Sequence, residues 1–331
     1  MTSLKEIAKE TGYSIATVSR ALNNSTQVIP ETREIIQSAA KSLNYRPNPA
    51  AKALATRRSY IVGAAIPGIE YSIFSKFIAA LETELSRLDY ALVLTTTNHD
   101  AEIEFEKVRN LINMGAEAIV LSGMFHARET IKLAQDHGVH LVCTSIYDKN
   151  SPIPTIGYDN QALGRLAIEY LQSLGHHNIT VLHGPSASND RTRLRLAGID
   201  DTENDGIRRL ETKLSVEGGM LAAKVLFNQY SDTTAILCLS DVLAEGVLYE
   251  AARQQIRVPD QISVMGFDNL EWSAHIHPTL TTIDLPVNEM GIQTAFQISE
   301  ALDSNLEIKS SLLDAKIIER QSTTRSRTER A

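Results

Sequence analysis

A chain of 331 residues, 43% apolar and 22% charged, has the composition of a globular protein with two or three folding units. Its apolar runs stay short of the 18 residues that a membrane span needs, and MTSLKEIAKETG lacks the apolar core of a secretory signal, so we expect a cytoplasmic protein without a membrane partner. Cys143 and Cys238 both lie in apolar runs, so neither a disulfide nor a metal or cofactor site is predicted.

The charge of the chain is unevenly distributed along its length. Residues 1–58 contain nine Lys/Arg and four Glu, whereas residues 59–331 contain 23 Lys/Arg and 36 Asp/Glu. A basic segment on an acidic body favours a polyanionic partner that binds at one end of the protein. Chance clustering on a solvated surface is the alternative, and charge alone does not decide between the two.

The first predicted elements are two short helices joined by a tight turn. Ser3 and Glu6 have the spacing of a capping box, in which each side chain satisfies a free backbone amide at the start of a helix. Gly12 suits the positive φ of a turn, and Ser14 is placed to cap a second helix. The residues at inward-facing helical positions are Leu4, Ile7, Ala8 and Thr11, then Val18, Ala21 and Leu22.

The spacing of Ala8, Gly12 and Val18 is typical of a helix-turn-helix, an all-α DNA-binding motif. Such a motif needs a small residue where the helices cross, glycine in the turn, and an aliphatic residue inside the second helix. A third helix is predicted over residues 31–44. Its core residues would be Ile35, Ile36, Ala39, Ala40 and Leu43. Another kind of three-helix bundle is the alternative, and TVSR on the second helix makes it the less favoured one.

If the second helix enters the major groove of DNA, its exposed side chains face the base edges. Arg20 is the candidate for a bidentate contact to guanine, whereas Ile15 and Ala16 can make only apolar contacts. The residues predicted to contact DNA in this segment are Ser14, Ile15, Ala16, Thr17, Ser19, Arg20 and Asn23.

Residues 46–58, RPNPAAKALATRR, contain four bases and no acid. The prolines disfavour helix before them, and AAKALA favours a helix that is too short to be stable alone. We therefore predict a helix that forms when it docks on DNA, with Lys52, Leu54 and Arg57 as contacts and Leu54 as a minor-groove wedge. A plain linker is the alternative, which composition leaves open.

The segments EIAKETGYSIATVSRALNN and VIPETREIIQSAAKSLNYRPNPAAKALATRRSYIVGAAIP closely resemble the lactose-repressor (LacI/GalR) family of bacterial transcription regulators. The resemblance continues through IGYDNQALGRLAIEYLQSLGHHNITVLHGP, RLRLAG, LCLSDVLAEGVL, VPDQISVMGFDN and HPTLTTIDLP, so it covers nearly the whole chain. It implies a homodimeric repressor that binds a palindromic operator and is controlled by a small, sugar-like effector. It also implies that Leu54 levers open the central base step and that the hinge responds to the effector.

The resemblance implies three parts: a helix-turn-helix head (residues 1–45), a hinge helix (46–59) and a two-lobed core (60–331) related to periplasmic sugar-binding proteins. The first lobe would contain residues 60–159 and 288–316, and the second lobe residues 160–287 and 317–331. Apolar runs in the core alternate with helical segments predicted over 72–88, 101–114, 127–137, 162–174, 217–228 and 243–254. This alternation is typical of α/β lobes with parallel, doubly wound sheets.

Parallel sheets bind ligands at the carboxyl ends of their strands, so polar residues that follow strands are the candidate ligand residues. They are Ser122, Ser145, Ser240, Asp241 and Asp268. The resemblance adds Arg195, matches Arg195 and Asp268 to residues that hydrogen-bond polar effectors, and matches Ile73 and Phe74 to the border of the pocket. A guanidinium and a carboxylate in one cleft suit the vicinal hydroxyls of a sugar. Helix capping by Asp241 or Asp268, and a core position for Phe74, are the alternatives.

Three departures from the family pattern put an ordinary neutral hexose in doubt. Ser145 stands where many members have Asp, and Leu214 stands where an aromatic residue often lies under the sugar ring. The stretch after Arg195 is several residues shorter than usual. Arg191, Arg193 and Arg195 crowd one predicted loop, which could favour an anionic ligand, although a solvated basic turn is at least as compatible with the sequence.

Two other classes of protein fit the sequence less well than a regulator. An enzyme is disfavoured because the chain lacks G-x-G-x-x-G after its first strand, G-x-x-x-x-G-K-[ST] and G-x-S-x-G. A periplasmic binding protein would need a signal peptide and would not carry the basic head. The final TRSRTERA has no leucine heptads, so we predict a dimer rather than a tetramer.

Overall fold

The structure is a computed structural model and describes residues 2–22, 27–45, 53, 58–70, 72–202 and 206–326. The chain divides into two compact units, residues 1–59 and 60–331. Asn23, Lys52, Leu54 and Arg57, all predicted to contact DNA, lie outside the described residues. No helix in the described part of the chain combines the length and the hydropathy that crossing a membrane requires.

The first unit contains the helices α1 (Leu4–Thr11), α2 (Ile15–Leu22) and α3 (Pro30–Ser42). The backbone N–H of Ser3 donates to Glu6 Oε2 at 2.7 Å, and Gly12 ends α1 with a φ of 73°. The Ser14 hydroxyl accepts the N–H of Thr17 at 3.1 Å at the start of α2. The capping residues seen in the sequence therefore set the ends of α1 and the start of α2.

The head has a small core formed by one face of each helix. Its buried apolar side chains are Ile7, Val18, Ala21, Val28, Ile36 and Ala40. The prediction that Ile35 belongs to this core is wrong, because its side chain is 50% exposed. α3 turns Ile36 and Ala40, one helical turn apart, toward the other helices, and a neighbouring residue on a helix points about 100° away.

Replacing Ile29 by Ser is expected to stabilise the start of α3 by about 1 kcal/mol. Ile29 is the N-cap residue, its side chain makes no capping hydrogen bond, and it is largely exposed. Native-state hydrogen exchange at the amides of Ile36 and Ala40 should slow about fivefold. Ile35→Ser, on the exposed face of the same helix, is the control, and equal slowing in both variants would contradict the capping explanation.

The second unit, the core, alternates strands and helices along the chain. Its strands are β1 (Ile61–Ile66), β2 (Ala91–Thr96), β3 (Ala118–Ser122), β4 (His140–Thr144), β5 (Thr155–Gly157), β6 (Ile179–His183), β7 (Ile207–Glu211), β8 (Ala235–Cys238), β9 (Ser263–Met265), β10 (Thr282–Asp284), β11 (Ser311–Leu312) and β12 (Lys316–Ile318). Its helices are α4 (Ser72–Arg87), α5 (Ala101–Asn113), α6 (Arg128–Asp136), α7 (Asn160–Ser173), α8 (Asp190–Asp200), α9 (Val216–Gln229), α10 (Asp241–Arg253) and α11 (Val287–Ser304).

Two sheets divide the core into two lobes. The first lobe has the sheet β11-β5-β4-β3-β1-β2 with helices α4, α5, α6 and α11, and the second has the sheet β7-β6-β8-β9 with α7 to α10. Neighbouring strands within both sheets run parallel, whereas β10 and β12 form a separate antiparallel pair. The predicted pair of doubly wound α/β lobes is therefore present.

Two elements of the second lobe differ from the sequence-based expectation. Arg191, Arg193 and Arg195 do not lie in a loop but on α8, whose N-cap Asn189 accepts the N–H of Thr192. β7, with the polar sequence IRRLE, forms the edge of the second sheet beside β6. Both segments lack a clear apolar pattern, so tertiary packing rather than local sequence sets their structure.

Candidate functional site

A cleft lies between the two lobes, next to the carboxyl ends of strands from both sheets. Its empty space, including the mouth, is about 720 Å³. Several of the predicted ligand residues line it together: Ile73, Phe74, Ser145, Arg195, Ser240 and Asp268. The structure thus brings side chains that are far apart in the sequence to one cavity, as parallel sheets do.

Arg195 is fixed on one wall of this cleft. Its Nε donates to Asn160 Oδ1 and its Nη1 to the carbonyl of Leu239, both at 3.0 Å. The guanidinium carbon lies 3.9 Å from the centroid of the Phe267 ring. Burial lowers the pKa of the guanidinium, while the neighbouring Tyr158 opposes that shift. The hydrogen bonds and the ring hold a donor group at the cleft without free rotation.

Asp268 supplies a carboxylate to the same cleft. Its Oδ2 accepts the hydroxyl of Ser240 at 3.0 Å, and its backbone N–H donates to the carbonyl of Ile283 at 2.9 Å. The backbone φ is 125°, a strained value for a residue with a side chain. Burial raises the pKa of the carboxyl to about 7, although the Coulombic effect of Arg195 lowers it. Asp268 is therefore an acceptor whose charge changes near neutral pH.

Asn160 connects the two lobes through hydrogen bonds to two residues of the cleft lining. Its Nδ2 donates to the carbonyl of Ser145 at 3.0 Å in the first lobe, while its Oδ1 accepts Arg195 in the second. Ser145 has a φ of 64° and its N–H donates to Met290 Sδ at 3.2 Å. The sequence-based prediction missed Asn160, although its place at the start of α7, directly after the N-cap Asp159, was a usable signal.

Asp241 does not line the cleft, although we predicted it as a ligand residue. Its Oδ1 accepts the hydroxyl of Thr282 at 2.6 Å, and its Oδ2 accepts the N–H of Leu270 at 2.8 Å. Burial raises the pKa of this carboxyl to about 6, and the two hydrogen bonds oppose the shift. Asp241 thus holds the segment that carries Asp268, which gives it a supporting position rather than direct contact with a ligand.

Ser122 lines a neighbouring cavity at the end of β3, rather than the main cleft, and the empty space of this cavity including its mouth is about 410 Å³. His99 and Arg191 border both cavities, and no motif in the sequence had indicated a role for His99. Burial and the positive charge of Arg191 lower the pKa of His99 to about 4. At neutral pH His99 is therefore an uncharged imidazole between the two cavities.

In the head, α2 presents one buried and one exposed face. Val18 and Ala21 are buried against the other helices, whereas Ile15, Ala16 and Arg20 are exposed. Of the other predicted contacts, Ser14 is exposed, and Thr17 and Ser19 are half-buried. The exposed face carries a base and small or apolar groups, which suits contact with base edges and phosphates.

Metal chemistry has no evident site in the described residues, where no group of three or more His, Cys, Asp or Glu side chains is placed to hold an ion. Cys143 and Cys238 are buried and do not form a disulfide with each other. Burial raises the pKa of the Cys238 thiol well above its usual value. The lining of the main cleft offers hydrogen-bonding groups and one ionisable carboxylate, Asp268, which suits contact with a polar ligand.

Two family profiles match the chain. Residues 3–48 match "Bacterial regulatory proteins, lacI family", and residues 59–321 match "Periplasmic binding proteins and sugar binding domain of LacI family". The first match covers the three-helix head and the second covers nearly all of the core.

Proteins and structures of known identity are similar over most of their length. The transcriptional regulator reg1 of Streptomyces lividans is 32% identical over 307 residues, covering 88% of this chain and 87% of that protein. The ribose operon repressor of Bacillus subtilis is 29% identical over 299 residues, with 89% and 90% covered. The crystal structure of the Lac repressor dimer bound to operator and the anti-inducer ONPF superposes with a TM-score of 0.86 at 26% identity, covering 98% of this chain and 99% of that one.

Proposed function

Because the chain belongs to the lacI family of bacterial DNA-binding transcription regulators, we propose that it is a repressor whose operator binding is controlled by a small polyhydroxyl effector in the interlobe cleft. The homologues are regulators and not enzymes, in agreement with the absence of catalytic motifs from the sequence. One observation supports the proposal of an effector site: the buried Arg195 and Asp268 border one cavity between the two lobes.

Recognition of a polyhydroxyl ligand fits the chemistry of this cleft. Arg195 provides N–H donors, and Asp268 provides an acceptor for ligand hydroxyl groups. Ile73 and Phe74 add an apolar wall against which the carbon skeleton of a sugar can pack. We propose that Ser145 and Ser240 contribute further hydroxyls from the edges of the site.

Control of DNA binding requires that the ligand changes the position of one lobe of the core relative to the other. A ligand in this cleft contacts residues of both, and Asn160 already joins the Ser145 carbonyl to Arg195. The ligand therefore favours the lobe arrangement that it binds more tightly, and the difference between its two binding free energies sets the size of the shift. We propose that residues 46–59 transmit this difference to the head, with Leu54 as the DNA wedge.

A homodimer gives two heads for a palindromic operator. The outer faces of α9 and α10 expose Leu221, Val225 and Tyr249, at 59%, 41% and 48%. Adjacent exposed apolar side chains on packed helices suit an interface with a second copy. We propose that this face contributes to the dimer contact.

Selection of bound sequences from random duplex DNA by the purified full chain tests the proposed function. Enrichment of a palindrome with two half-sites supports a dimeric, sequence-specific regulator. If no sequence is enriched with the protein alone, the selection is repeated with a metabolite pool, because a corepressor can be required. Failure in both selections would overturn the proposal.

Arg20→Ala is expected to weaken binding to the selected operator about 10- to 100-fold while changing binding to random DNA much less. A bidentate arginine–guanine contact contributes on the order of 1–3 kcal/mol to discrimination between bases. Electrophoretic mobility shift at one fixed salt concentration measures both affinities. The control is Arg87→Ala, which removes the same charge from an exposed position of α4 in the core. An equal loss on operator and random DNA would show that Arg20 contacts phosphate rather than a base.

A further inference from the structure

The loop that follows β3, residues 123–127, belongs to the first lobe but contacts the first turn of α8 in the second lobe. The chain passes between the lobes after β5, after β10 and after β11, and this loop lies in none of those connections. Its contacts with α8 are therefore noncovalent, and they have to break when the lobes separate.

Asp190 makes a hydrogen bond from the second lobe to the backbone of this loop. Its Oδ2 accepts the N–H of Met124 at 2.7 Å, while its Oδ1 pairs with Arg191 Nη1 at 3.0 Å. Burial alone would raise the pKa of the carboxyl, but Arg191 and the N–H groups of Met124 and Phe125 outweigh it and lower the pKa. The hydrogen bond between the lobes is therefore made by an ionised carboxylate, which strengthens it.

Arg193 makes a second contact between the lobes, to the ring of Phe125. The guanidinium carbon lies 4.7 Å from the ring centroid, a cation–π distance. Arg193 Nη1 also donates to the carbonyls of Ser186 and Ala187, at 3.1 and 2.7 Å, in the loop before α8. The second lobe thus holds the guanidinium in place, and the first lobe supplies the aromatic face.

Gly123 allows the loop and α8 to approach each other closely. Its φ is 88°, and an added Cβ would overlap Arg191 Nη1 and the carboxylate of Asp190. The N–H of Gly123 donates to the carbonyl of Thr144 at 2.9 Å, which ties the loop to β4. A side chain at this position would therefore separate the groups that meet between the lobes.

His126 fixes the other end of the loop within the first lobe. Its Nδ1 lies 2.8 Å from Glu104 Oε1, and its Nε2 lies 3.2 Å from the carbonyl of Gly123. Both partners are acceptors, so the ring can donate to both only as an imidazolium. Burial alone would lower the pKa of His126, but Cys143 and Glu104 outweigh it and raise the pKa to about 10. The loop is thus held in position before α8 meets it.

We propose that residues 123–127 and the first turn of α8 form an interlobe clasp, which stabilises the closed arrangement of the core independently of any ligand. All groups of the clasp belong to the chain itself, so closure gains their interaction free energy whether or not a ligand is bound. The clasp thereby sets how far the equilibrium between the lobe arrangements lies toward closure before a ligand acts on it. It operates within the core, so its test needs neither operator DNA nor an effector.

The experiment measures the distance between the lobes in the full chain by pulsed electron paramagnetic resonance. Spin labels are attached to Lys132→Cys in the first lobe and Lys213→Cys in the second, both exposed positions. Cys143 and Cys238 are buried, so the labels react with the introduced thiols. Labelled chains are diluted with an excess of unlabelled chains, so that the measured distances lie within one chain.

Four substitutions are compared in this labelled protein. Phe125→Leu removes the ring, and Phe125→Tyr retains it. Asp190→Asn removes the charge of the interlobe acceptor. Its control is Glu217→Gln, which removes an exposed first-turn acid from α9 of the same lobe. Phe125 is 67% exposed, so its replacement should leave the first lobe folded and decides the test if Asp190→Asn does not fold.

The wild type is expected to populate the interlobe distance of the structure without added ligand. Phe125→Leu should lower the ratio of closed to open molecules about threefold, the effect of losing an exposed cation–π contact. Asp190→Asn should lower it about tenfold or more, because the hydrogen bond loses its charged acceptor. Phe125→Tyr and Glu217→Gln should each change the ratio less than about twofold, because both retain the ring and the clasp carboxylate.

Three results would overturn the clasp. They are a wild type that shows only distances longer than that of the structure, identical distance distributions in the wild type and Phe125→Leu, and a shift in Phe125→Tyr or Glu217→Gln as large as in its matched variant. None of these results bears on the selection of operator DNA, so the proposed regulatory function stands or falls separately.

Discussion

The Asp268→Asn variant is expected to bind operator DNA like the wild type and to lose effector affinity about 10- to 100-fold. Hydrogen bonds to a charged acceptor contribute on the order of 1.5–3 kcal/mol, and the amide removes that charge. The amide oxygen can still accept the Ser240 hydroxyl, so the local structure should persist. Isothermal titration calorimetry, with the sugar that gives the largest shift in melting temperature, measures the effector affinity. Electrophoretic mobility shift with the selected operator measures the DNA affinity.

The same substitution should abolish the pH dependence of effector binding. Burial raises the pKa of Asp268 to about 7, so the carboxylate is mostly protonated at pH 6 and mostly ionised at pH 8. If ligand hydroxyls donate to the ionised form, wild-type affinity rises about tenfold over this interval, and the Asn variant shows no such rise. Asp232→Asn, at a surface ion pair with Arg208, is the control. A flat profile for the wild type would mean that Asp268 does not accept a ligand hydroxyl.

The stability of the protein without ligand should change with pH in the direction opposite to effector affinity. A carboxyl whose pKa is raised on folding holds its proton more tightly in the folded state, so stability falls as pH rises from the unfolded value near 4 to about 7. The Asn variant does not have this loss. It should therefore be more stable than the wild type at pH 8 without ligand, as measured by urea denaturation.

Gly198→Ala is expected to destabilise the core by about 2–3 kcal/mol. α7 and α8 cross with their backbones in contact, and an added Cβ at Gly198 would overlap the carbonyl of Gln161. Alanine favours a helix over glycine by about 1 kcal/mol, but the obstructing group is backbone and cannot rotate away. Because Gly198 lies one turn from Arg195, the displaced helix should also weaken effector binding. Urea denaturation and calorimetry measure the two effects.

Ala162→Gly is the control for this prediction. Ala162 is exposed in the first turn of α7, so its replacement measures the intrinsic helix preference without a packing term and should cost at most about 1 kcal/mol. Gly164 makes the reciprocal contact, since a Cβ there would overlap the carbonyl of Arg195. If Gly198→Ala proved as stable as the wild type, the helices could separate without loss, and the crossing would not position Arg195.

The family, the helix-turn-helix head and the two parallel lobes were all accessible from the sequence. Ser3, Glu6 and Gly12 are local signals, and the apolar runs of the core strands are long enough to stand out from their helices. The part of α8 that carries Arg191, Arg193 and Arg195 was assigned to a loop because DRTRLRLAGID has no continuous apolar stripe. α8 is held by its close crossing with α7 at Gly164 and Gly198, and such a tertiary contact cannot be predicted from the local sequence pattern.

The candidate site was predictable by position but not by side-chain direction. The strand-end rule identifies Ser240, Asp241 and Asp268, yet it does not say which of them faces the cleft. Asp241 turns to Thr282 and Leu270, while Asp268 borders the cavity. For the same reason Ser122, at the end of β3, was assigned to the main cleft when it lines the neighbouring cavity. The ligand-contact roles of these residues and the DNA contacts of α2 stay predictions.

The link through Asn160 has a consequence for engineering this protein as a biosensor. Libraries for new ligand specificity usually vary the residues that line a pocket, and Asn160 is not among them. Its amide nevertheless sets the direction of the Arg195 guanidinium and fastens it to the Ser145 carbonyl of the other lobe. Under the proposed control of DNA binding by a ligand in the cleft, a library that keeps Asn160 constant would change which molecule is detected and preserve the response of the protein. Substitutions of Asn160 would separate ligand binding from that response.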